Sequence, residues 1–126
     1  MLAFVALGGA AGAVARFGVS GWVHGFSGAA FPWGTLTVNV AGAFALGLTL
    51  RLLQASVAGP ETRAFLAVGF LGAFTTFSTF SWEAIALIQD GEWARASLYL
   101  GGSVVAGLAA VLAGIWLAGA FLQARG

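Results

Sequence analysis

The chain contains no cysteine and no lysine, one histidine, two prolines and only 7% charged residues. Each shortage excludes something. Without cysteine there is no disulfide framework, no thiolate metal site and no thiol nucleophile. Five arginines against four acids leave a net charge of +1, which is no footprint for nucleic acid. One histidine and four acids leave intramembrane acid–base or nucleophilic catalysis short of parts. No H-E-x-x-H, G-x-S-x-G or phosphate loop occurs, so no enzyme and no catalytic residue is expected. The shortage of charge reaches furthest. A soluble domain carries roughly 25% charged residues, and this chain lacks the polar side chains to cover its own surface. What it has is 60% hydrophobic residues and a mean hydropathy of +0.99. That composition is expected of an integral membrane protein. The N-terminus, MLAFVALGG, lacks the basic region of a signal peptide and reads as mature structure.

Four long apolar segments follow one another, at about 2–22, 33–53, 64–88 and 96–122. A bilayer core of about 30 Å needs about 20 helical residues to cross it. The alternating pattern of a barrel strand is absent. The fold class is therefore all-α: four transmembrane helices in one domain spanning 1–126. Short connections join them: VHGFSGAAFP, which puts His24 in a loop, QASVAGPET with its Gly59-Pro60 breaker, and the acidic turn QDGEW. Small-residue pairs at Gly8/Gly12, Gly21/Gly25 and Ala43/Gly47 point to dense packing and oligomerisation. Arginines divide about three to one or two between the two sides. That is a weak vote under the positive-inside rule, compatible with one orientation or with insertion both ways up.

A few polar residues sit inside these segments. Asn39, in TLTVNVAG, reads either as an interhelical hydrogen bond or as a ligand-facing donor. Arg16, in the last two turns of the first segment, either snorkels to the interface or faces an aqueous vestibule. Glu83 is the one acid well inside an apolar run: a structural acceptor, a vestibule lining or a proton site. Tyr99 and Ser103, four apart, share a helix face. The third segment is the densest case. GFLGAFTTFSTFSWEA, residues 69–84, alternates Phe70, Phe74, Phe77 and Phe80 with Thr75, Thr76, Ser78, Thr79 and Ser81. On a continuous helix Phe70, Phe74, Phe77 and Ser81 form one stripe, and Thr76, Phe80 and Glu83 another. A phenylalanine stripe reads as packing or lipid contact. Successive hydroxyls also support local unwinding, which frees carbonyls for an ion.

This run resembles the third-helix signature of the small bacterial fluoride channels, the Fluc or CrcB family. GGAAGAVARF (8–17) is similar to that family's first-helix motif, and GTLTVNVAGAFALG (34–47) to its second-helix motif. The resemblance covers essentially the whole chain. It implies a fluoride-selective channel that exports fluoride passively and confers fluoride resistance, in the bacterial inner membrane. It implies an antiparallel, dual-topology homodimer with a broken third helix and two pores. A structural sodium ion at the dimer centre would be held by the backbone carbonyls of Gly72 and Thr75. The pore residues it implies are Asn39, Phe77, Phe80, Ser78, Thr79, Ser103 and Tyr99, with Arg16 and Glu83 in vestibule or supporting roles. Where the family often has a further serine, this chain has Gly107, which leaves one side of the polar track less polar. The competing reading is a proton-coupled small multidrug exporter of similar size and dual topology. Such carriers depend on an acid in the first helix, where this chain has Arg16. A non-transporting assembly protein is a third reading.

Overall fold

A computed structural model describes all residues from Met1 to Gly126. The chain is all-helical, and four of its stretches are long and apolar enough to cross a membrane. The first is α1 (Leu2–Ser27) and the second is α2 (Trp33–Gln54). The third, Pro60–Gln89, is composite. It consists of α3 (Pro60–Arg63), a π-helical segment (Ala64–Leu71), α4 (Gly72–Phe74) and α5 (Phe77–Gln89). The fourth is α6 (Trp93–Arg125), 33 residues and so about 50 Å long at 1.5 Å per residue.

The helices overrun the apolar segments because amphiphilic residues can stay helical at a membrane surface. His24 is the clearest correction: it lies in the last turn of α1, not in a loop. The helix stops only at Gly28, whose φ of 78° suits glycine. Its N–H closes back on the His24 carbonyl at 3.1 Å. The third stretch begins at Pro60, the first helical position that proline favours. The acidic turn after α5 is closed by Gly91, with φ 76°.

α1 packs against the π-helical segment and α4, α2 packs along α6, and α5 leans on α6. Glycine makes the closest of these approaches. A Cβ on Gly8 or Gly12 would run into the main chain of Phe65 or Phe70. Gly47 and Gly114 do the same for the crossing of α2 with α6, facing the backbones of Val111 and Phe44. The Gly8/Gly12 pair and Gly47 are thus engaged inside the chain. Gly21 and Gly25 face open space.

Only 17 of the 126 residues are buried. Large apolar side chains such as Phe17, Trp22, Trp82 and Trp116 point outward. A hydrocarbon solvent accepts such a surface where water does not.

Candidate functional site: a break in the third span and the groove beside it

Thr75 and Thr76 leave helical geometry in mid-span, with φ/ψ of −86°/157° and −148°/123°. Backbone groups released inside a membrane need other partners. Asn39 of α2 supplies two. Its Nδ2 donates to the Thr76 carbonyl (3.0 Å), and its Oδ1 accepts from the Thr76 N–H (2.7 Å). Only one orientation of the amide makes both bonds, so its second N–H remains free. The Thr76 hydroxyl caps α5 by accepting from the Thr79 N–H at 3.2 Å. Thr75 Oγ1 donates back to the Leu71 carbonyl at 3.1 Å.

Arg16 supplies a further partner. Its Nε donates to the Ala73 carbonyl at 2.9 Å. It lies mid-helix, and α1 carries it against the break. The carbonyls of Gly72 and Thr75, by contrast, accept no hydrogen bond within the chain. The extended pair also resets the helical phase, so the stripe drawn from Phe70 through Ser81 does not run on across it. Phe70 and Phe74 stack on one side (5.9 Å), and Phe77 and Phe80 pair separately on the other (5.9 Å, 52°).

Beside the break runs an open groove of about 350 Å³. Asn39, Thr75, Thr76, Phe77, Phe80 and Ser103 all line it. Phe80 touches Tyr99 (5.0 Å), which meets Phe31 edge-on at 5.5 Å and 84°. Tyr99 is wholly buried, yet its hydroxyl has no hydrogen-bond partner, and neither has the buried Ser103 Oγ. An unmatched buried hydroxyl costs about 1–3 kcal/mol. Ser103 Oγ borders the groove, whereas the Tyr99 hydroxyl lies one helical turn away, toward Thr35 and Glu83.

The remaining candidates divide. Thr79, Arg16 and Glu83 line a separate cleft of about 300 Å³. Ser78 is exposed and bonds to the Thr76 hydroxyl at 3.3 Å. Gly107 has nothing near its missing Cβ. Thr35 escaped the sequence reading. It is buried, and its hydroxyl donates to the Glu83 carboxylate. The available signal was its position one turn before Asn39.

Four membrane-long helices, the third broken at Thr75 and Thr76, define a small multi-pass membrane protein. The profile of the family described as CrcB-like protein, Camphor Resistance (CrcB), matches residues 3–115. A protein of Thermus thermophilus named Fluoride-specific ion channel FluC is 52% identical over 118 residues, 94% of this chain and 93% of its own. Proteins of the same name from Hydrogenovibrio crunogenus and Geobacter sulfurreducens are 54% and 49% identical. Those alignments cover 89% of this chain each, and 86% and 88% of the relatives. The chain belongs to the CrcB-like family.

Proposed function

We propose that this protein is a fluoride channel of the bacterial plasma membrane, carrying fluoride passively down its electrochemical gradient. The observation that carries the reading is the pair of unmatched buried hydroxyls, Tyr99 and Ser103. Ser103 lines one groove with Asn39 and the Phe77–Phe80 pair, and the Tyr99 ring packs on Phe80. A fluoride ion holds its water tightly and gives it up only where other donors replace it. Hydroxyls, an amide N–H and the positive edges of aromatic rings are such donors, and none carries a full charge. Sites of this kind hold an anion shallowly enough to release it, which conduction requires. Ser78 and Thr79 extend the donors along α5, while Arg16 and Glu83 shape a vestibule. Nothing favours the proton-coupled exporter: α1 has no acid, and Glu83 is already engaged by Thr35.

One copy is half of the assembly in this reading. Phe77 is 79% exposed although it lines the groove, and a second chain would close that open side. Two copies inserted in opposite directions would face each other at their broken third helices and enclose two pores. The Gly72 and Thr75 carbonyls fit a structural sodium ion there. They are hard oxygen donors without partners, and Gly72 is exposed toward the would-be axis. Bound, the ion would neutralise carbonyl dipoles that otherwise face one another across the two-fold axis.

Purified protein in fluoride-loaded liposomes tests the function. A fluoride electrode should register rapid release once the membrane potential is clamped, and a chloride electrode should register none from chloride-loaded vesicles. Phe80→Ile should slow release at least tenfold without changing assembly. No release from the unaltered protein would refute the proposal.

A further inference from the structure

His24 has no part in the pathway described above, yet its place is distinctive. It is exposed in the last turn of α1 and lines two adjoining clefts at one end of the molecule. The first, about 300 Å³, it shares with Arg16, Thr35 and Glu83, and only one of the ten lining residues is hydrophobic. The second, about 190 Å³, it shares with Glu83 and Asp90. Imidazole and carboxylate therefore flank the same space without forming an ion pair; the one ion pair of the chain joins Arg95 to Glu92. The charged groups facing His24 are Arg16 on its own helix, Glu83 on α5 and Asp90 just after it. From α2 comes only the neutral Thr35. The Glu92–Arg95 pair lines neither cleft.

The charge of the two clefts thus depends on one proton. With a neutral imidazole, Arg16, Glu83 and Asp90 leave the two clefts together with one net negative charge; with an imidazolium the charges balance and that repulsion of an anion is gone. Histidine is the side chain whose ordinary titration falls between about pH 5 and 8. We propose that His24 is a proton-dependent anion collector at the Glu83 end of the fluoride path. Its protonation raises the potential of the cleft and speeds the capture of fluoride from an acidified compartment. This rests on the fluoride-channel reading. HF that crosses a membrane and ionises releases one proton and one fluoride ion together. The proton that charges His24 therefore arrives with the anion to be removed.

Fluoride currents through the reconstituted protein in planar bilayers, taken from about pH 8 down to about pH 5.5, test this. Neutral HF carries no current, so it adds no background. At low ionic strength the unaltered protein should gain about threefold in current toward acid pH, and less in high salt, as expected for one charge across an aqueous cleft. His24→Gln should stay at the alkaline level throughout, and His24→Arg at the acid level. A flat profile in the unaltered protein would overturn the inference. So would a His24→Gln profile that keeps the full acid gain, which would move the effect to Glu83 or Asp90. Absence of fluoride current at every pH would instead remove the channel reading, and this inference with it.

Discussion

Asn39 makes two hydrogen bonds to the main chain of a single residue, Thr76, so its first task is to hold the break. Sequence left two readings open for this amide, and the geometry engages one donor and the acceptor structurally while leaving one N–H over. Asn39→Ala should therefore cost stability as well as conduction. With both Thr76 groups unpartnered inside the protein, about 2–3 kcal/mol is expected. Thermal unfolding in detergent would register it as a clear drop in midpoint; an unchanged midpoint would mean that water replaces the amide freely. Legibility at this scale followed side-chain type. An asparagine in an apolar run announces itself. A threonine does not, because it can satisfy itself on its own helix. Thr37 does so, donating to the Trp33 carbonyl at 2.7 Å. Thr35, two residues earlier, holds Glu83 instead, and nothing in composition separates the two.

The four spans were readable because hydropathy over some twenty residues is a property of the segment, indifferent to tertiary partners. Their ends were not, because residues such as His24 or Trp93 suit a membrane surface whether helical or looped. The π-helical Ala64–Leu71 left no trace either, since its side chains are those of any apolar helix. Glycine pairs were visible but ambiguous: spacing says that something approaches closely, not what. Gly12→Val should be strongly destabilising, by at least about 3 kcal/mol, because the new side chain meets the backbone of Phe70. Gly21→Ala and Gly25→Ala, in open space, should leave the folded chain unaffected. Expression and monodispersity in detergent would separate the two classes. A well-behaved Gly12→Val protein would contradict the packing of α1 on the third span.

At the scale of the whole molecule, the exposed Phe77 and the donor-free Gly72 and Thr75 carbonyls all concern the side of the third span that one chain leaves open. The proposed dual topology would account for this and is compatible with the weak arginine bias. The chain has no cysteine, so Ser56→Cys, in the exposed connection after α2, introduces a single label. A membrane-impermeant maleimide applied to intact cells should modify about half of the copies, as insertion both ways up requires. Labelling of all copies, or of none, would contradict dual topology and leave the groove without the partner proposed for it.

A neutral, donor-lined path should pass fluoride and nothing else. The reversal potential reads this in a planar bilayer with unequal fluoride on the two sides, chloride making up the difference, first at equal pH and then across a pH gradient. Current through the protein should reverse near the fluoride equilibrium potential and should not follow an imposed proton gradient. Reversal near zero, or one that tracks pH in a fixed ratio, would contradict it.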